Sequence, residues 1–536
     1  MQDPSTDTAP QGALDITTFD KGALNRQVGH RTSANFQGHT LVNSIANILG
    51  WLVPAVIFLA LTPFLIQEIG VEAYGVFTLT SVLTGYVSWL NFGFAQAMVK
   101  HVAQCAAVDD MENLSLIISA GLFIFLTIGL VGFILFYGLA GWLAASVFNI
   151  APELHGAAVI AIQLSGVGFF FMMLISLLEG VAMGINRFDI PNLTRIVNMS
   201  ISAVLMVVGV LTGYGLIGVV AGYTIGTVSA SVVSIVLTFR LVPRPRIRGA
   251  TQKVRDLFSF GKFVIVSQGI GTLAGQVGST ALGILSSMAN LTYYAIPTKI
   301  ITVGMDVFRR LSLQLFPISA ALDSQQEKER LRRIFVELTR WQLVLFTPLL
   351  ILALFHGRWL LRFWLGPEFV TAGYTILLIT VVYQIISALT AVPTQYAMGM
   401  GHPEYTAWFS AIRLVLILAC IYPFIKLHGP VGVAEATFIS SLQGLAFIIL
   451  VSRKLLKLNL WHLLRKALLK LAGLLGCFII LYVLLGNRID SNNSIIAQAG
   501  VGLVLLALYF FLAVVIRVFP IEEGKRLLKR EFWKKL

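Results

Sequence analysis

ANLTYYAIPTKIITVGMDVFRRLSLQLFPISAA, Ala289–Ala321, is apolar enough to cross a bilayer, yet it carries Lys299, Asp306, Arg309 and Arg310. A charge near the bilayer centre costs about 2.5–3.5 kcal/mol on insertion scales, so it turns toward protein or a water-filled cavity. At about 100° per residue, Lys299, Asp306 and Arg310 fall on one helix face, and Arg309 lies about 80° round. Asp306 and Arg310 have the spacing of an ion pair. Pro297 and Pro317, near the two ends, predict kinks. The expectation is one wall of a polar, mainly cationic cavity inside the membrane. The alternative is an internal pair that only locks helices together.

The composition around this stretch agrees with a membrane setting. Of 536 residues, 57% are hydrophobic and 12% charged, with a mean hydropathy of +0.84. Soluble domains carry about 25% charged residues, so the fold class is an all-α polytopic membrane protein. A net charge of +14 would suggest nucleic acid in a soluble chain. Here the charge sits in short connections and in the tail, where it orients helices and meets anionic lipid; no nucleic-acid partner is expected. Cys105, Cys420 and Cys477 lie far apart and imply neither a disulfide framework nor a zinc pattern. Residues 1–40 lack the apolar core of a signal peptide and read as a disordered cytoplasmic tail.

Apolar segments of spanning length recur along the chain. Fourteen are expected, at roughly 41–66, 74–99, 114–147, 155–183, 195–212, 215–239, 257–287, 289–320, 334–356, 372–399, 405–427, 429–453, 465–486 and 494–517. The third runs long and should end before Phe148. Thirty of the 39 Lys and Arg fall on the side of the two termini. Only Arg358, Arg362, Lys426 and Arg488 fall on the other, and Lys299, Arg309, Arg310, Arg340 and Arg413 lie within segments. The positive-inside rule then makes both termini cytoplasmic.

A weak repeat organises these segments. AMG at Ala182–Gly184 is followed by INRFDIPN, and AMG at Ala397–Gly399 by MGHPEY. GYGLIGV (Gly213–Val219) and LHGPVGV (Leu427–Val433) each open an apolar run that ends on a basic residue, Arg240 or Lys454. The expected domains are two six-helix bundles, 41–240 and 257–454, joined by a basic cytoplasmic linker at 241–256. Two additional helices follow at 465–517, then a basic tail at 518–536. Repeated halves are a transporter architecture with the substrate between them.

Other intramembrane polar groups extend the candidate site. Arg413 lies near the middle of its segment and Arg340 about seven residues into its own; each could line the cavity, while Arg340 could equally snorkel to headgroups. Asn43 and Asn47 share a face of the first segment, as function or as helix glue. Glu435 and Glu179 read as structural. Arg358 and Arg362 flank Trp359 and Trp364, which reads as an aromatic belt. The sequence has no GxxxxGK[ST], HExxH, CxxC or GxSxG motif. The carboxylates Glu68, Glu72, Glu153 and Glu368 sit in short connections without a formed catalytic site.

LTPFLIQEIGVEAYGVFTLTSVLTGYVSWLNFGFAQAMVKHVA (Leu61–Ala103) resembles the opening signature of the oligosaccharide (Wzx-like) flippases. These belong to the multidrug/oligosaccharidyl-lipid/polysaccharide (MOP) exporter superfamily. FWLGPEFVTAGYTILLI (Phe363–Ile379), AMGMGHPEYTA and LHGPVGVAEATFIS are similar to its second half. The resemblance covers about 41–455. It implies a V-shaped pair of bundles in the bacterial inner membrane, alternating access, and a polyprenyl-pyrophosphate-linked glycan as substrate. It also implies no cofactor, coupling to H+ or Na+ rather than ATP, and a polysaccharide polymerase and chain-length regulator as partners. Arg310, Arg413, Lys299, Arg309 and Arg340 would then hold the pyrophosphate, with Asp306 as charge balance or proton carrier. A lipid II flippase or a cation-coupled drug exporter of the same superfamily is the alternative, and a membrane glycosyltransferase a further one.

Overall fold

The computed structural model describes residues 33–243, 245, 250–312, 319, 328–458, 460–490 and 494–516. The long apolar runs are helical throughout the described residues, because lipid offers no partner for backbone N–H and C=O groups and a helix satisfies them internally. Ten described segments are long and apolar enough to cross a membrane, with window hydropathies from 1.7 to 2.5.

The first element, α1, runs from Ser33 to Ala107 as two helical arms that meet at Gly70. There φ is +83° and ψ 162°, a conformation that a Cβ would oppose. Then follow α2 (Met111–Trp142), α3 (His155–Gly184), α4 (Asp189–Leu211), α5 (Gly215–Phe239), α6 (Ala250–Leu285) and α7 (Met288–Ser312). The chain continues with α8 (Lys328–Leu365), α9 (Pro367–Gly399), α10 (Pro403–His428), α11 (Pro430–Lys454), α12 (Leu460–Asp490) and α13 (Ile495–Val515). The long third segment does end before Phe148: α2 gives way to a π-helical turn, Leu143–Val147, and Phe148 is extended.

The two AMG turns share one geometry. Ile185, Asn186 and Arg187 donate their backbone N–H groups to Val181, Met183 and Ala182; Met400, Gly401 and His402 donate to Tyr396, Met398 and Ala397. Asn186 and Gly401 both take positive φ, +62° and +79°. In each turn a basic side chain stands two residues before a carboxylate. Arg187 binds Asp189 through two bonds of 2.9 and 2.8 Å, and His402 meets Glu404 at 2.8 Å. Asn and Gly tolerate the left-handed region better than other residues, which accounts for their use in this turn.

Small residues bring helices together where lipid supplies no hydrophobic drive. On α5, Gly218, Gly222 and Gly226 lie against Gly209, Met206 and Ser202 of α4, where any Cβ would meet backbone or side-chain atoms within 2.8 Å. On α11, a Cβ at Gly432 would stand 2.0 Å from the Phe424 carbonyl oxygen of α10. A large apolar core joins α1, α2 and α3 to parts of α6, α7, α10 and α11. A second joins α8, α9 and α11 to α12 and α13, with Phe478 and Tyr509 fully buried in it.

Candidate functional site

α7 separates two polar environments. Its first turns are held between α1 and α9: Thr292 Oγ1 donates to Val71 O at 2.8 Å, and Tyr293 packs edge-to-face on Phe369 at 5.0 Å. Past these contacts Ala295, Ile296 and Lys299 face a cavity of about 330 Å³. The opposite walls come from both arms of α1 (Phe58, Leu61, Thr62, Leu65, Tyr74, Phe77, Thr78, Ser81), from Met199 and Met206 of α4, and from Tyr223 of α5. Most of this wall is apolar. Thr62 and Thr78 return their hydroxyl protons to Phe58 O and Tyr74 O, at 2.7 and 3.0 Å, so each keeps acceptor capacity while staying in its helix. Among the described lining residues Lys299 is the one charged group, and none is a carboxylate. The arrangement suits an amphiphile with an anionic group: an ammonium for the anion, hydroxyls for polar substituents and apolar walls for hydrocarbon.

A ladder of hydroxyls, Tyr294, Thr298 and Thr302, at successive four-residue steps, runs obliquely along α7 from the side away from Lys299. Thr298 lies 3.5 Å from Thr380 Oγ1 of α9, and Gln384 Nε2 donates to Thr302 Oγ1 at 3.0 Å. The buried Tyr294 hydroxyl meets Thr437 of α11 and Tyr383 of α9. Arg413 of α10 acts electrostatically on both tyrosines. Sequence reasoning missed this ladder because neutral hydroxyls raise no alarm in an apolar run. The spacing 294, 298, 302 was the available signal.

The expected cationic residues fall in different described surroundings. Lys299 reaches the described cavity, whereas Arg413 belongs to the tyrosine–threonine cluster on the far side of α7. A single helix presents both groups because Tyr294, on which Arg413 acts, lies about 140° from Lys299 around α7. Arg340 is half-buried on α8 beside buried Thr339, and it engages other groups of the chain. The side chains of Asp306, Arg309, Arg310, Asn43 and Asn47 lie outside the described residues. Glu435 is paired with His428 at 2.5 Å, and Glu179 stands near Arg195. Trp364, at the end of α8, also contacts α1. Its indole N–H donates to Leu59 O at 2.6 Å and its ring meets Phe58 edge-on, so it clasps α1. Trp359 stacks on Phe363, and Arg358 lies over the Tyr374 ring at 4.9 Å.

Contacts between the first part of the chain and the second concentrate toward one end. Asn149 N donates to Gly283 O at 2.8 Å and Phe148 packs on Gly283, beside the Thr292–Val71 and Trp364–Leu59 bonds. Tyr86 and Thr280 meet at 2.8 Å further in.

A family model described as "Polysaccharide biosynthesis protein" matches residues 69–372. A Shigella flexneri protein provisionally named an O-antigen transporter is 22% identical over 404 residues, 73% of this chain and 92% of its own length. The uncharacterised membrane protein EpsK of Bacillus subtilis is 24% identical over 404 residues, 73% of this chain and 77% of its own. An inward-facing multidrug resistance MATE transporter of the MOP superfamily superposes with a TM-score of 0.66 at 13% identity, covering 76% of this chain and 99% of that one. The lipid II flippase MurJ, in an inward closed conformation, gives 0.62 at 14% identity over 84% and 97%. At these identities the structural likeness shows a shared fold.

Proposed function

The chain belongs to the polysaccharide biosynthesis protein family and is a multi-pass membrane protein, and from that premise we propose that it flips a polyprenyl-pyrophosphate-linked oligosaccharide from the inner to the outer leaflet. The observation that carries this reading is the cavity at α7: an apolar chamber with hydroxyls, one ammonium and no described carboxylate. A pyrophosphate and a glycan are too polar to cross hydrocarbon unaided. Lys299 takes the anion by charge-assisted hydrogen bonds. Positions 306 and 310 fall within about 20° of Lys299 around α7, so Arg310 continues the same stripe, Arg309 flanks it and Asp306 balances it. A cationic drug would find no counter-charge among the described lining residues.

In this reading the two six-helix bundles, 41–240 and 257–454, rock about the substrate, and both termini are cytoplasmic. Coupling is to H+ or Na+, and a polysaccharide polymerase and chain-length regulator take the product. The test is a deletion strain complemented with the chain. Loss of surface glycan with lipid-linked repeat units accumulating inside, restored by the wild type, is the expected result. Unchanged surface glycan with an arrest of peptidoglycan synthesis would assign the chain to lipid II, and altered drug resistance alone to drug export.

A further inference from the structure

A second cationic feature lies away from the cavity and is independent of its reading. A notch of about 110 Å³ opens between the first turn of α8, the end of α9 and the α11–α12 connection. Its rim carries Lys328, Arg332 and Lys457, and its floor Leu331, Met400 and Leu456. Arg332 fixes the geometry. Its Nε donates to Leu456 O at 2.6 Å, and its guanidinium also meets Glu329, the one carboxylate bonded at the rim among the described residues. Leu331 and Leu456 are buried, so this joint is anchored below.

Lys457 has a φ of +52°, a left-handed conformation that Gly or Asn adopts more readily. The turn is imposed from both sides, by Leu456 N to Val451 O at 3.4 Å and by Leu458 N to the carbonyl of buried Ser452 at 2.8 Å. A lysine kept in a strained turn over a cationic notch is a reason to look for a ligand. The notch lies where spanning helices end, at Lys328, Gly399 and Lys454, which is the level of lipid headgroups. It is far smaller than the cavity at α7, and among the described residues it gathers three cations against one carboxylate.

We propose that this notch binds the headgroup phosphate of an anionic phospholipid from the surrounding leaflet. The two ammonium groups and the guanidinium hold the phosphate, the leucine and methionine floor takes the glycerol end of the acyl chains, and the lipid ties α8 to the α11–α12 connection. The test is native mass spectrometry of the full-length protein purified from phosphatidylglycerol-containing membranes. Wild type should retain phosphatidylglycerol, and Lys328→Gln/Lys457→Gln should lose it about tenfold. Lys457→Gly, which keeps the left-handed turn and removes the ammonium, should lose it as much as Lys457→Gln. Arg240→Gln, an exposed cation at the end of α5, should retain it. Equal loss in Arg240→Gln, full retention in the double variant, displacement by millimolar inorganic phosphate, or retention of a polyprenyl pyrophosphate instead would each overturn the assignment.

Discussion

Lys299 and Arg413 are both cations in membrane helices, and their surroundings assign them different consequences. Lys299 stands on the cavity wall, so Lys299→Gln keeps most of the length and removes the charge. A hydrogen bond to a charged group is worth about 1.5–3 kcal/mol, so glycan export per folded molecule should fall about tenfold or more, with Lys299→Arg retaining much of it. Unchanged export in Lys299→Gln would remove the ammonium from the substrate site. Arg413 sits against the buried Tyr294 and Tyr383, so Arg413→Gln should lower the yield of folded protein before it alters export. Quantifying folded protein by size exclusion beside export separates the two outcomes. Asp306 and Arg310 need the same separation. If the pair is glue, each single neutral variant loses folded protein and the double variant recovers export. If Arg310 holds substrate, the double variant stays inactive at normal protein level.

The elements that the sequence made legible are those with a strong local cause. Unbroken apolar runs announced the helices, and the two AMG motifs announced a pair of turns of one geometry because a tight turn admits few residues. Gly432 shows the constraint: with 2.0 Å from a new Cβ to Phe424 O, Gly432→Ala should cost about 1–3 kcal/mol as α10 and α11 are pushed apart, read as a lowered thermal midpoint in detergent. What stayed illegible depended on partners distant in sequence. Nothing local says that Trp364 reaches Leu59, or that Lys299 and the Tyr294 ladder face different neighbours. The α12–α13 pair is another such case. Tyr509 donates to Val344 O at 2.8 Å, His356 meets Gln498 O at 3.0 Å, and Tyr482 lies 3.4 Å from the Tyr374 hydroxyl. Tyr509→Phe removes one buried hydroxyl and leaves an acceptor unpaired, so it should destabilise by about 1 kcal/mol while the pair stays docked. An unchanged elution volume on size exclusion, beside the lowered thermal midpoint, is the accompanying check.

At the scale of the whole molecule, the described bonds between the first and second parts of the chain gather toward one end. They are neutral: Asn149 to Gly283, Thr292 to Val71 and Trp364 to Leu59 there, with Tyr86 to Thr280 further in. Neutral hydrogen bonds contribute about 0.5–1.5 kcal/mol each, so the bonds of this clasp are only part of what holds that end. Apolar packing joins the same parts, with Leu79, Leu282, Met288 and Leu291 buried in one shared core, so opening must part that packing as well. If the two halves rock about the cavity, this end must part in every cycle. Val71 and Thr292 offer the handle, because one side chain already bonds the other's backbone. In a background with Cys105, Cys420 and Cys477 changed to Ser, Val71→Cys/Thr292→Cys can be joined by a short bifunctional thiol reagent that a reductant cleaves. Export should stop on cross-linking, return on reduction, and continue in each single-cysteine chain given the same reagent. Full export by fully cross-linked protein would mean that the clasp never opens, and the substrate would then have to pass without the halves separating there.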